Sequence, residues 1–351
     1  MYVVTKKITN FAKKIIFVLV KENMEKLPAP MNYENLYNDL IIEFRKKIPQ
    51  NSKLAAKLSE ILFLEKEAVY RRLRGEVPFK LQEIVAITNE LGISLDNTIG
   101  IGWIKRPPCQ LQSINYENPA EIDYMMLENY VEILKAMAFE PDGEMSMVTN
   151  LFPQSLYLKF KYINRFYFFR WHYHHLMLNQ PKTYQEIVFP KRLEKHIEAV
   201  SIESKNIKTS HYILDGQVFQ NFINNVRYFY SIRLLKTEDV SNIKKELFHF
   251  VDYMEDLAVS GYFEGTKNKV SLYISDISID TNYSYMDSQN IRFSLIWAFL
   301  LNGVSTYDEK TLEVIKTWIH SIIKTSTLIS VTGEKPRTLY FERQREIIEE
   351  L

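Results

Sequence analysis

The 351-residue sequence predicts a mainly α fold: an N-terminal domain of five helices, then a larger, mostly helical α+β domain with a short strand pair. Three observations support this prediction. Apolar residues recur at spacings of three and four through most of the chain. Glycines and prolines separate these runs into helix-sized segments. The composition, 46% hydrophobic and 25% charged, is that of an ordinary folded protein.

A linker separates the two predicted domains. Lys105 and Arg106 are followed by Pro107 and Pro108, and consecutive prolines cannot continue a helix. We therefore expect a first domain over residues 31–104, a linker over 105–108 and a second domain over 109–351.

Residues 1–30 form a basic extension before the first domain. Its longest apolar run, residues 15–20, is shorter than a membrane span or a secretory signal. Three interpretations stay open: an arm that contacts DNA phosphates, an amphipathic helix, or translated sequence upstream of a native start at Met24 or Met31. We favour the last two, because nothing in this segment continues the pattern that follows it.

Helical spacing in the first domain begins at Tyr33 and stops before Pro49. Asn51 or Ser52 can cap the next helix. Later boundaries fall at Gly75 and Gly92, which are typical C-terminal glycines. Together these signals predict helices over about 33–48, 53–62, 66–74 and 80–91, with a short fifth helix capped by Ser94.

The second domain begins with a helix over 119–138, whose wide apolar face we expect to contact a second copy. The aromatic segment 153–178 has the length of a helix, but Leu156, Leu158 and Phe160 also alternate as in a strand. Further helices are predicted over about 217–235, 238–259, 288–301, 308–325 and 341–351, and a strand pair over 270–275 and 277–280.

Residues 58–75, Leu-Ser-Glu-Ile-Leu-Phe-Leu-Glu-Lys-Glu-Ala-Val-Tyr-Arg-Arg-Leu-Arg-Gly, resemble the helix-turn-helix of the lambda-repressor/Cro class of DNA-binding proteins. The likeness covers residues 50–102. Its matching positions are Leu58 and Ser59 in the first helix, Leu64 after the turn, Val69 in the recognition helix, Gly75 at its end, Pro78, and the closing segment 91–96.

Two positions depart from that pattern. Phe63 occupies the turn position that is usually glycine, where a positive φ costs a bulky residue roughly 1–2 kcal/mol, so we expect a rearranged turn. Arg72 stands where the family has an apolar residue. We expect its side chain to reach solvent or a carboxylate such as Glu43 or Glu60.

The resemblance makes helix 66–74 the DNA-reading helix. Val69 and Leu73 are one turn apart and define its buried side, which leaves five side chains outward. Arg71 and Arg74 suit guanine edges or phosphates, and Lys66 suits a phosphate. Tyr70 suits a thymine methyl or a phosphate, while Glu67 suits cytosine N4 or an ion pair with Arg71. The predicted DNA-binding residues are thus Lys66, Glu67, Tyr70, Arg71 and Arg74.

Charge and domain order extend this interpretation. Residues 1–106 hold 18 Lys and Arg against 12 Asp and Glu, whereas the remainder is acidic. The resemblance implies a sequence-specific transcriptional regulator that binds double-stranded DNA. Because one short helix touches too few base pairs for useful affinity, we expect a homodimer, with the second domain serving oligomerisation or effector sensing. The single cysteine fits a reducing compartment, so we expect a cytoplasmic location. The alternative is a protein–protein interaction module that uses the same scaffold without DNA.

Other chemistry finds little support in the sequence. Cys109 is the single cysteine, which excludes an intrachain disulfide, and no catalytic motif is present. We therefore expect no enzyme activity and no cofactor. We also expect no metal site, since His172, His174 and His175 lack further ligands. Residues 157–173 suit a buried core helix better than an effector pocket, for which Arg165, Arg170 and the histidines would be the polar groups.

Overall fold

The computed structural model describes residues 33–93, 95, 109–176 and 182–351. The chain divides into two compact units, Met1–Pro108 and Cys109–Leu351. The predicted extension 1–30 and linker 105–108, and nearly all of the short fifth helix, lie outside the described residues. No described helix is both long and apolar enough to cross a membrane.

The first unit contains helices at four of the predicted positions. They are α1 Tyr33–Lys47, α2 Asn51–Leu62, α3 Lys66–Leu73 and α4 Leu81–Leu91. Their apolar stripes meet in one core, in which Phe44, Leu54, Leu58, Val69 and Ile87 are fully buried. The helical spacing of the apolar residues therefore predicts both the helices of this unit and their buried faces.

The second unit is built on an eight-stranded mixed sheet, so the prediction of a mostly helical domain with one strand pair is wrong. The sheet order is β1-β7-β6-β5-β2-β3-β4-β8, with β2, β3 and β4 parallel and every other neighbouring pair antiparallel. The strands are β1 Gln110–Gln112, β2 Glu144–Thr149, β3 Thr209–Asp215, β4 Lys269–Ser275, β5 Tyr283–Asp287, β6 Arg292–Ala298, β7 Asn302–Thr306 and β8 Ser326–Leu328.

The clearest error concerns residues 288–301, predicted as a helix. They contain β6 and the turn into β7, where Phe299 and Leu300 have φ of 52° and 70°. β6 contributes Phe293 and Leu295 to one core, and Ser294 is buried as well. A strand covered on both faces lacks a clear polar/apolar alternation, and its apolar run resembles a helix.

Helices cover both faces of the sheet. They are α5 Glu121–Phe139, α6 Gln154–Tyr157, α7 Lys161–Leu176, α8 Lys191–Glu203, α9 Val218–Ser231, α10 Thr237–Ser260, α11 Glu309–Thr325 and α12 Glu334–Glu349. α11 packs on one face, with Leu312, Ile315 and Ile319 against Val148 and Ile213. The other helices supply a larger core on the opposite face.

Two expectations about helix surfaces are settled by this packing. The aromatic segment forms α6 and α7, and its large side chains, such as Phe166 and Phe169, are buried in the larger core. The apolar face of α5 also packs inward, with Val131 and Leu134 buried. Most of the face that we expected to contact a second copy is therefore used within the unit itself.

Candidate nucleic-acid interface

A three-residue turn, 63–65, joins α2 to α3. The Leu64 amide donates to the Ser59 carbonyl at 3.2 Å, and the Ser59 hydroxyl donates to the Leu64 carbonyl. Beyond the turn, Val69 and Leu73 are buried against α2. Burial of these two residues, one helical turn apart, determines which face of α3 points outward.

The predicted DNA-binding residues lie together on that outward face. Lys66, Glu67, Arg71 and Arg74 are exposed, whereas Tyr70 is half-buried and packs against the core of the first unit. Four of the five side chains are therefore accessible to a ligand, and Tyr70 is accessible only in part.

Carboxylates hold the two outward arginines. The Glu76 carboxylate lies 2.6 Å from Arg74 Nε and 3.5 Å from Arg71 Nε, and Glu67 lies 3.2 Å from Arg74 Nη2. The hydrogen bond from Arg74 holds the pKa of Glu76 below its ordinary value. The Glu67–Arg71 pair considered from the sequence is replaced by Glu67–Arg74.

Glu76 is not among the residues predicted from the sequence, because it follows the end of α3. Gly75, at φ 78°, turns the chain back so that the Glu76 amide donates to the Arg71 carbonyl at 3.0 Å. This turn brings the carboxylate between the two arginines. A glutamate directly after a helix-ending glycine was the available signal.

Arg72 binds neither of the carboxylates expected from the sequence. Its Nε and Nη2 each lie 3.1 Å from an oxygen of Glu83 on α4, and its Nη1 donates to the Ala68 carbonyl at 3.2 Å. Only 13% of the Arg72 side chain and 16% of the Glu83 side chain are exposed. Glu43 and Glu60 pair with Lys46 and Lys57 instead.

The Arg72–Glu83 pair connects α3 to α4. Burial alone would raise the pKa of Glu83, but hydrogen bonds from Arg72 and the Lys80 amide outweigh burial and lower it. The Tyr37 hydroxyl of α1 donates to the Arg72 carbonyl at 2.8 Å. Together with α2, which packs on Val69 and Leu73, α1 and α4 therefore hold α3 in place beneath its outward face.

The turn itself keeps a left-handed residue rather than rearranging. Phe63 has φ 54° and ψ 40° and is 94% exposed. Its ring has little packing to offset the backbone strain. The rearrangement expected at this position does not occur.

The histidine cluster lies in the second unit, on α7. His172 is buried, and its Nε2 lies 3.2 Å from Glu117, while the ring of His175 stacks on Trp171. Within the described ranges, no group of three or more His, Cys, Asp or Glu side chains is placed to hold a metal ion.

Comparisons with protein-family models, with curated proteins and with solved structures found no match. The functional assignment therefore depends on the geometry of α3 and the residues around it.

Proposed function

We propose that the protein is a sequence-specific DNA-binding transcriptional regulator and that α3 enters the major groove. The observation that carries this proposal is the cationic outward face of α3, with Lys66, Arg71 and Arg74 exposed above a buried Val69–Leu73 stripe. An eight-residue helix is about 12 Å long, which suits a groove about 12 Å wide.

The ion pairs on this face are compatible with DNA binding. Arg71 and Arg74 already contact carboxylate oxygens, and a guanidinium that binds a carboxylate can bind a phosphate or a guanine edge through the same N–H groups. DNA must displace Glu76 to reach both arginines. Exposed pairs of this kind contribute little to stability, so the exchange costs little.

We further propose that the protein acts as a cytoplasmic homodimer and that the second unit provides the oligomer contact. One short helix reads too few base pairs for useful affinity, whereas two copies can read half-sites about 34 Å apart. The proposed regulator is not an enzyme, and no cofactor or metal enters its mechanism.

A protein–protein interaction module remains the second candidate. Phe63 and Leu81 are 94% and 70% exposed in the first unit, and exposed apolar side chains are typical of protein contacts. Such a module would not bind DNA, so Lys66, Arg71 and Arg74 would have no DNA-binding role in it.

Binding of the full chain to a labelled random duplex, measured by fluorescence anisotropy, tests the proposal. We expect log affinity to fall linearly with log salt, by about 0.9 for each phosphate contact. Arg71→Ala and Arg74→Ala together should weaken binding and reduce that slope. Lys53→Ala, an exposed cation on α2, is the control. Absence of binding at about 50 mM salt would overturn the proposal in favour of a protein partner.

A further inference from the structure

The second unit contains a cavity of about 60 Å³ beneath α5 and α8, against the sheet. Protein interiors have few voids larger than a water molecule. A water needs about 10–15 Å³ of such space, so the cavity has room for roughly four to six non-hydrogen atoms. Its walls are mainly apolar and aromatic, including Leu127, Tyr157, Phe168, Leu193, Leu295 and Leu301.

One hydrogen-bond donor in this wall is buried without a partner among the described residues. It is Trp297 Nε1, and Tyr130 belongs to the same wall. The indole N–H can only donate. Several polar wall groups are already engaged: Gln112 Nε2 donates to Ser305 Oγ at 3.3 Å, the Tyr116 hydroxyl donates to the Leu301 carbonyl at 2.9 Å, and His196 Nδ1 lies 2.6 Å from the Arg192 carbonyl.

Burial raises the pKa of the Tyr130 hydroxyl further above neutrality, so this group stays protonated and can donate. A buried polar group without a partner is costly, which makes an acceptor beside Trp297 Nε1 favourable. Trp297 also borders a second void of about 10 Å³.

The surroundings disfavour a charged ligand. No Asp, Glu, Lys or Arg lines the cavity. The nearby charged groups are already paired, since Arg192 binds Glu121 at 2.7 Å and Glu128 at 2.6 Å, and His196 lies 3.4 Å from Glu128. An ion would lose its hydration without gaining a counter-charge.

We propose that this cavity binds a small, uncharged, mainly apolar molecule with one acceptor oxygen, which takes hydrogen bonds from the Tyr130 hydroxyl and Trp297 Nε1. The inference goes beyond the proposed DNA binding and does not depend on it. The polar groups that select the ligand differ from those expected from the sequence, because Arg165, Arg170 and the α7 histidines do not line this cavity.

Cyclopentanone, with six non-hydrogen atoms and one carbonyl, is a suitable probe. Titration into the full chain, followed by the indole N–H resonances in NMR, should show saturable binding with a Kd of about 1 mM. The Trp297 signal, identified by its loss in Trp297→Phe, should shift. Cyclopentane, which lacks the acceptor, should bind more weakly and leave that signal near its original position.

Tyr130→Phe removes one donor and keeps the ring. We expect it to weaken cyclopentanone binding about tenfold, as the loss of one buried hydrogen bond predicts, without affecting cyclopentane. Tyr262→Phe, outside the cavity, should bind as the unaltered chain does. Equal affinity for both probes, an unshifted Trp297 signal at saturation, or no effect of Tyr130→Phe would overturn the proposal, whether or not the protein binds DNA.

Discussion

Phe63 and Gly92 end neighbouring helices in the same backbone conformation, with φ of 54° and 59°. At Gly92 this conformation is free of side-chain strain, whereas at Phe63 it costs roughly 1–2 kcal/mol. Since the Phe63 ring is 94% exposed, local packing does not account for its presence. The residue therefore reduces the stability of the first unit.

Phe63→Gly should stabilise the first unit by about 0.5–1 kcal/mol, because relief of left-handed strain exceeds the added flexibility of the unfolded chain. Native-state hydrogen exchange at the amides of α2 and α3 measures this unit separately from the second one. Phe63→Ala retains the Cβ and should bring little gain, and Gly92→Ala should destabilise the unit. A less stable Phe63→Gly protein would show that the ring has a structural partner.

Glu76 forms ion pairs with both outward arginines, which the proposed function assigns to DNA. We expect Glu76→Gln to tighten binding to random duplex about fivefold at low salt, since two unit charges 4 Å apart in water interact by about 1 kcal/mol. The gain should shrink as salt is added. Glu90→Gln, which removes an exposed carboxylate on α4, is the matched control. If both variants strengthen binding equally, Glu76 acts only through net charge.

Among the contacts between elements, that between α3 and α4 includes the largely buried Arg72–Glu83 pair. Glu83→Gln should destabilise the first unit by about 2 kcal/mol, because Arg72 would lose a charged acceptor in a poorly solvated position. Glu60→Gln, which affects an exposed pair, should change stability by less than about 0.5 kcal/mol. Hydrogen exchange in α3 and α4 gives both values.

The same pair predicts a pH dependence. The pKa of Glu83 is lowered in the folded state. The ionised carboxylate therefore stabilises the folded first unit fully above the unfolded-state pKa of about 4.3, and this stabilisation is lost as pH falls through the folded-state pKa. The unaltered chain and Glu83→Gln should therefore differ in the free energy of unfolding of the first unit by a constant amount near neutrality. This difference should shrink below about pH 4. A difference that grew in acid would rule out this carboxylate as the cause.

Prediction of elements succeeded where one face of a helix is solvated and failed in the sheet. α10 and α11 lie within a few residues of their predicted bounds, and β4 matches one predicted strand. The segment 277–280, predicted as its partner, is not a strand; β4 pairs with β3 and β8. Both of these partners are distant from β4 in the sequence, so local periodicity carries no information about them.

For the whole molecule, the proposed homodimer makes a prediction about mass in solution. We expect light scattering at micromolar concentration to give twice the 41.6 kDa of one chain, because two reading helices are needed for specific binding. A mass of one chain throughout the range where DNA is bound would contradict the dimer. Since α5 buries most of its apolar face internally, we expect the proposed dimer to use another surface.

The side of α3 that faces the core is predictable from the sequence alone, because Val69 and Leu73 define an apolar stripe of helical period. Lys66, Arg71 and Arg74 point outward as a direct consequence. Tertiary structure alone decided that Arg72 binds Glu83, that Glu76 lies between two arginines, and that eight strands form one sheet. Those contacts depend on how separate segments meet in space, which local spacing does not encode.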